Sequence, residues 1–159
     1  MAFDAVDERH LLRTIELAAA ARAAGNHPFG ALIVDGVGAI VVEAENSVVT
    51  DGTPTAHAEL NAVRAAGRKV GDAGLRGATL YTSTEPCAMC AGAIYWSGIS
   101  RVVYALGSET LAAIVEDLPA DSTLRLSSRE VFERGGRAVE VSGPHLGEPA
   151  AAVHAGFWS

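Results

Sequence analysis

Two short stretches of the sequence contain the residues best suited to chemistry. TAHAEL, residues 55–60, holds a His-x-Glu, and STEPCAMC, residues 83–90, holds a Cys-x-x-Cys made of the chain's only two cysteines. Zinc prefers thiolate and imidazole ligands, and catalytic zinc sites use three protein ligands and leave one position open. His57, Cys87 and Cys90 therefore form a candidate metal site with the ligand count of a catalytic centre.

A carboxylate accompanies these candidate ligands. Glu59 follows His57 by two residues in the first turn of a predicted helix, where such residues point roughly 200° apart. It need not bind the same ion, but it can border the adjoining cavity. A carboxylate beside zinc-bound water can take its proton and later return it to a leaving group. The two motifs together indicate hydrolysis.

Other interpretations of the motifs are less well supported. A lone Cys-x-x-Cys could be a thioredoxin-type redox pair, but Pro86 precedes the first cysteine and no Trp-Cys context is present. The cysteines could also be buried structural thiols without a metal, or belong to a zinc-stabilised interaction module. A purely structural zinc site has no use for a proton shuttle, so the intact Glu59 favours an enzyme.

The elements that must position these residues follow from hydrophobic periodicity and from Gly, Pro and Asp-Gly signals. We predict helices at about 7–25, 55–67, 87–97, 107–115, 127–136 and 148–158, a hairpin over 29–46 with a tight Asp-Gly turn, further strands at 78–83, 101–106 and 138–142, and a loop at 116–123. Strands that alternate with helices predict an α/β sheet covered on both faces, with parallel strands joined by helical crossovers. The hairpin makes that sheet mixed.

Length and composition restrict the function classes. With 159 residues, 49% hydrophobic and 19% charged, the chain fits a single domain over 1–159. A formal net charge of −7 and a single lysine, Lys69, count against a nucleic-acid partner. No apolar run is long enough for a membrane span, and the acidic N-terminus is unlike a signal peptide, so we expect a cytoplasmic protein.

The segments P-T-A-H-A-E-L and S-T-E-P-C-A-M-C-A-G-A-I-Y-W resemble the zinc-dependent cytidine/deoxycytidylate deaminase superfamily, with its H-x-E…P-C-x-x-C signature. The resemblance runs from the first helix through the strand at 101–105 and looks closest to the branch of guanine, cytosine and tRNA adenosine deaminases. It implies a three-layer α/β/α sandwich with a five-stranded sheet in the order 2-1-3-4-5, one Zn²⁺ per subunit, and a homodimer.

The resemblance also implies roles for particular residues. His57, Cys87 and Cys90 match the zinc ligands, and Glu59 matches the proton shuttle that protonates departing ammonia after zinc hydroxide attacks an amino-bearing ring carbon. Residues implied to contact substrate, through side chains or backbone, are Asn46, Phe29, Ala58, Ser83 and Glu85.

The sequence narrows the substrate less sharply. The tRNA enzymes of this branch usually carry basic residues toward the C-terminus, whereas residues 140–159 contain no Lys or Arg. AIYW, residues 93–96, resembles guanine deaminases, whose acidic pair after the fourth strand corresponds loosely to Glu116 and Asp117. Phe157 and Trp158 could cover the pocket as an aromatic lid or simply pack into the core. For Tyr95 and Trp96 we favour core or dimer packing over contacts to the base.

We therefore expect a small-molecule purine or pyrimidine base as the partner: guanine first, with cytosine or a triazine-type ring close behind. The alternatives are a tRNA-specific adenosine deaminase and a nucleoside deaminase.

Overall fold

The computed structural model describes residues 1–115 and 123–159. The elements alternate much as the sequence predicts. In chain order they are α1 (Ala5–Ala23), β1 (Gly30–Val34), β2 (Ile40–Glu45), α2 (Ala58–Leu75), β3 (Thr79–Thr84), α3 (Ala88–Ser97), β4 (Arg101–Leu106), α4 (Ser108–Ile114), α5 (Ser128–Glu133), β5 (Glu140–Ser142) and α6 (Gly147–Ala152).

The strands form one mixed sheet in the order β2-β1-β3-β4-β5. β1 pairs antiparallel with both β2 and β3, whereas β3, β4 and β5 run parallel. One core cluster joins the sheet to α2, α3 and α5, and a second joins its opposite face to α1 and α6. The predicted three-layer α/β/α sandwich and strand order are confirmed.

Local signals explain where several elements begin and end. Asp4 caps α1 by accepting hydrogen bonds from the backbone amides of Val6 and Asp7. Gly25, just beyond the end of α1, has a φ of +85°, a conformation that glycine adopts without the steric cost of a side chain. The predicted stops of α1 at Gly25 and of α3 at Gly98 are thus confirmed to within a residue or two.

Two predicted helix ends differ from the structure by six residues or more. Helix α2 does not end at Gly67 but continues to Leu75, with a break at Gly71. Val70 and Leu75, which both follow Gly67, pack against the core. Their burial outweighs the roughly 1 kcal/mol by which a glycine such as Gly67 disfavours a helix interior. The last helix ends at Ala152, so Phe157 lies in the turns that follow it and Trp158 lies just beyond them.

The predicted hairpin is present, but its connection is longer than a two-residue turn. It spans residues 35–39, and the carboxylate of Asp35 accepts hydrogen bonds from the amides of Val37 and Ala39 at 3.0 and 2.9 Å. None of the helices in the described ranges is long and apolar enough to cross a lipid bilayer.

Candidate active site

The candidate metal ligands lie at the N-termini of two helices on the same face of the sheet. His57 is the N-cap of α2, and Cys87 is the N-cap of α3, each with an extended backbone conformation. Cys90 is buried in the first turn of α3. α2 and α3 pack against each other through the shared core, so their starting residues converge.

The distances among the donor atoms fit a zinc ion. Nδ1 of His57 lies 3.6 Å from Cys87 Sγ and 3.5 Å from Cys90 Sγ, and all three atoms lie within 4.8 Å of one another. Zinc bonds of about 2.1 Å to nitrogen and 2.3 Å to sulfur at a tetrahedral angle separate those atoms by about 3.6 Å. Two sulfurs and one imidazole are also the donors that zinc prefers, so His57, Cys87 and Cys90 are positioned to bind it.

Glu59 lies directly beside these ligands. Its side chain is 5% exposed, and its Oε2 lies 3.6 Å from Cys90 Sγ. The sequence predicted that His57 and Glu59 would point far apart around one helix. Because His57 is a non-helical N-cap, its side chain does not follow the helical rotation, and both side chains approach Cys90.

The electrostatics of the group are strongly coupled. Burial, followed by the charge of Cys87, raises the pKa of the Glu59 carboxyl. Hydrogen bonding to Cys90, and then to His57, lowers the pKa of Cys87 to about 4. The bond with Cys87 and burial raise the pKa of Cys90, and the neighbouring Cys87 also raises that of His57. A bound zinc ion would hold both sulfurs as thiolates.

Thr82 is a site residue that the sequence interpretation missed. It is fully buried, and its hydroxyl lies 3.1 Å from Glu59 Oε1 and 3.1 Å from the carbonyl oxygen of Thr84. Strand alternation places Thr82 on the same face as Leu80, which packs in the core cluster of α2 and α3. That alternation was the available signal, but it did not indicate that Glu59 would be the partner.

Three of the predicted substrate-contacting residues surround the start of α2 or the end of β2. Asn46 is buried, and its Oδ1 accepts a hydrogen bond from the Val48 amide at 3.1 Å. The carbonyl of Phe29 accepts from the Asn46 amide, and the Phe29 ring packs against the core cluster of α2 and α3. Ala58 is the buried first residue of α2.

The side chains of Ser83 and Glu85 are engaged in structural contacts. The Ser83 hydroxyl accepts a hydrogen bond from the Gly30 amide at 3.1 Å. One oxygen of Glu85 accepts from the amide and hydroxyl of Ser108, and the other accepts from the amide and hydroxyl of Ser128. Although burial opposes the effect, these bonds lower the pKa of Glu85. Backbone groups are therefore what this turn could offer a substrate.

The C-terminal residues contact the same chain's Phe29. The Trp158 ring lies 5.3 Å from the ring of His27 and 6.2 Å from that of Phe29, between ring centroids. Its Nε1 donates to Nδ1 of the buried His154 at 3.2 Å, and burial lowers the pKa of His154 to about 4. Trp158 thus belongs to an aromatic cluster that includes one face of Phe29.

Arg22 fixes this C-terminal tail to α1. One guanidinium nitrogen of Arg22 donates to the carbonyls of Val153 and Ala155 at 2.7 and 2.8 Å. The guanidinium also lies 5.7 Å from the centre of the Phe157 ring. The Arg22 side chain, from the N-terminal helix, therefore holds the C-terminal tail in place.

The remaining candidates differ in their surroundings. Tyr95 packs over Gly135, where an added Cβ would lie 2.2 Å from the ring, whereas Trp96 is 86% exposed. The preference for packing over base contact thus fits Tyr95, and Trp96 faces outward. Glu116 and Asp117 lie outside the described residues, so their contribution stays a prediction.

This fold and ligand geometry define a zinc-dependent hydrolytic deaminase. Residues 4–106 match the sequence model of the cytidine and deoxycytidylate deaminase zinc-binding region, and the chain belongs to that family. The match ends at the last residue of β4, so it includes all the candidate ligands and Glu59.

Individual relatives have different substrates in their names. A probable cytosine deaminase of Schizosaccharomyces pombe is 40% identical over 152 residues, which cover 96% of this chain and 92% of the relative. A tRNA-specific adenosine deaminase of Haemophilus influenzae is 37% identical over 133 residues, which cover 80% of this chain and 77% of the relative. A solved guanine deaminase structure from Nitrosomonas europaea superposes with a TM-score of 0.78 at 30% identity, covering 92% and 81% of the two chains.

Proposed function

We propose that this deaminase acts on a free nucleobase or a similarly small amino-heterocycle, with guanine and then cytosine as the first rings to test. The observation that carries the proposal is the contact of Trp158 with Phe29 and His27 of its own chain. A closed aromatic cover suits a free ring, whereas a flipped nucleotide needs an open channel for its backbone. The acidic chain, with no Lys or Arg in 140–159, supports the same choice.

Glu59 is proposed to move the protons of the reaction. When bound, zinc lowers the pKa of the attacking water. Glu59 takes a proton from that water and delivers it to the departing amino group, so that the ring carbon exchanges its C–N bond for a carbonyl and ammonia leaves. Its burial supports this role, because burial raises the pKa of the carboxyl and so favours its protonated form more than in an exposed glutamate.

The substrate-holding roles follow from the positions of the surrounding groups. The Val48 amide occupies Oδ1 of Asn46, which leaves the Asn46 amide nitrogen as a donor toward an acceptor atom of the ring. We propose the Phe29 ring and Trp158 as the apolar walls, and the backbone of Ala58 and of the turn at Ser83–Glu85 as polar contacts. We also propose a homodimer, for which the exposed Trp96 is one candidate contact.

The alternative of a tRNA-specific adenosine deaminase is favoured by the similarity to the H. influenzae enzyme. It predicts inosine in a tRNA anticodon stem-loop and RNA binding that weakens steeply with salt. A nucleoside deaminase predicts turnover of guanosine or cytidine in preference to the free base.

An ammonia-release screen tests the proposal. The panel contains guanine, cytosine, adenine, their nucleosides and aminotriazines. We expect turnover of at least one free base, and a loss of roughly 10²–10⁴-fold in Glu59→Gln with zinc content unchanged. The exposed Glu16→Gln is the matched control and should retain activity. Turnover of RNA or nucleosides without any free base would overturn the proposal, as would full activity in Glu59→Gln.

A further inference from the structure

The side-chain amide of Asn61 contacts the backbone next to two proposed site residues. Asn61 lies in α2, one turn after His57, and is half-buried. Its Nδ2 lies 2.9 Å from the carbonyl oxygen of Glu45, 2.9 Å from Ser47 Oγ and 3.4 Å from the carbonyl oxygen of Ala56. One nitrogen therefore connects the end of β2 with the start of α2.

The two carbonyls belong to the peptide groups that carry Asn46 and His57. A peptide group is planar, so fixing the Glu45 carbonyl fixes the orientation of the bond to Asn46. In the same way, fixing the Ala56 carbonyl fixes the orientation of the peptide bond to His57. The Ala56 carbonyl also accepts a hydrogen bond from the Ser47 amide at 2.9 Å. The loop at residues 46–57 thus begins and ends on groups held by Asn61.

We propose that Asn61 is a positioning residue, which holds the proposed substrate contact Asn46 and the metal ligand His57 in fixed relation to each other. The Asn46 half of this inference rests on the proposed function, whereas the His57 half rests on the metal site. The amide nitrogen carries two N–H groups, one for each of the partners at 2.9 Å, and the Ala56 carbonyl at 3.4 Å shares one of them. An alanine leaves the carbonyls without this donor, and an aspartate directs a carboxylate at them.

Asn26 offers a matched comparison on the same loop. It is buried, and its Oδ1 accepts from the amides of Val49 and Thr50 at 3.1 and 3.0 Å while Nδ2 donates to the Thr50 hydroxyl at 3.1 Å. Asn26 therefore holds the middle of the loop with at least as many side-chain hydrogen bonds as Asn61, yet none of these bonds reaches a peptide group next to Asn46 or His57.

The experiment compares Asn61→Ala with Asn26→Ala in the zinc-loaded full chain. The readouts are the melting temperature, the rate of zinc release to a chromogenic chelator, and the KM and kcat for the base identified in the screen. We expect similar losses of melting temperature in both variants. Only Asn61→Ala should release zinc roughly tenfold faster and show a KM raised roughly tenfold, as is typical when a partner behind a ligand is removed.

A double-mutant cycle tests whether Asn61 acts through Asn46. In an Asn46→Ala background, Asn61→Ala should add less than about a twofold rise in KM, because the group it positions is gone. Equal zinc release and equal KM in Asn61→Ala, Asn26→Ala and the unmodified protein would overturn the proposal. If Asn61→Ala does not fold, Asn61→Ser, which keeps one donor, takes its place. Zinc release needs no substrate, so it decides the His57 half even where no base is deaminated.

Discussion

The metal-side region, residues 46–90, and the C-terminal region, residues 107–159, are positioned by different means. In the first, His57 and Cys87 cap helices of 18 and 10 residues that pack against the central strands. In the second, the three described helices have only seven, six and six residues, and β5 has three. Helices this short are marginal on their own, so their placement depends on outside contacts.

Single side chains provide several of those outside contacts. Glu85 binds the first residues of α4 and α5, Arg22 holds the tail, and Arg129 donates to the carbonyls of Val141 and Gly143 at the end of β5. This difference suggests separate roles for the two regions. We expect the region built from long elements to fix the reaction, and the region built from short, individually tethered elements to influence substrate choice without moving the metal ligands.

The largest effect is expected from breaking the metal-side region itself. In Cys90→Ala a two-ligand site remains, which cannot fix zinc in a tetrahedral geometry. We expect zinc content to fall from one per chain to near zero, ammonia release to fall by roughly 10³-fold or more, and the melting temperature to drop. Metal analysis, activity assay and calorimetry measure these changes. Full zinc occupancy in Cys90→Ala would contradict the proposed ligand set.

A smaller effect is expected at Thr82, which supports Glu59 but is not a candidate metal ligand. Thr82→Val keeps the shape but removes the hydroxyl beside Glu59, and we expect kcat to fall by roughly 10–100-fold with zinc retained.

Thr84→Val is the matched control on the same strand. The Thr84 hydroxyl oxygen is buried and has no partner among the described residues, so its removal should leave kcat unchanged and stability equal or higher. Equal kcat values in the two variants would show that the Thr82 hydroxyl does not support Glu59.

The smallest effect is expected in the C-terminal region. Arg22→Gln shortens the side chain and removes its charge, so the bonds to Val153 and Ala155 weaken and the tail contacts Phe29 less often. We expect KM for a free base to rise by roughly three- to tenfold, with kcat and zinc content unchanged.

Arg9→Gln serves as the control, since Arg9 is exposed on the same helix and its guanidinium donates a hydrogen bond to the Ala5 carbonyl rather than to the tail. A change in zinc content in Arg22→Gln, without a change in KM, would contradict the separation between the two regions.

The sequence predicted the parts of this molecule that depend on local pattern. The strands at 78–83 and 101–106 and the stop at Gly98 follow from periodicity and turn chemistry, and all are confirmed within a residue. The strand order came from the family resemblance. The convergence of His57 and Glu59 on Cys90 could not be predicted from helical geometry, because His57 precedes the helix.

Contacts between residues distant in sequence were also outside the reach of pattern. Nothing near Asn61 indicates that its amide meets the Glu45 carbonyl, and nothing near Glu85 indicates two serines 23 and 43 residues further along the chain. The predicted contact of this turn's backbone with the substrate stays a prediction, and the bonds of the Glu85 carboxylate to two helices were not predicted. Such tertiary contacts depend on how the layers stack.

The hydrogen bonds of Glu85 to Ser108 and Ser128 have a consequence for how the substrate of this protein could change. Ser108 and Ser128 both bind a single carboxylate two residues before Cys87, so the first residues of α4 and α5 are fixed close to the zinc-binding turn. We expect sequence changes between these two serines to leave the zinc-binding turn in place, provided that both serines and the core contacts of Leu111 and Ile114 are kept. Grafting the segment between these serines from a relative with another substrate is therefore a practical route to changing the substrate of this deaminase.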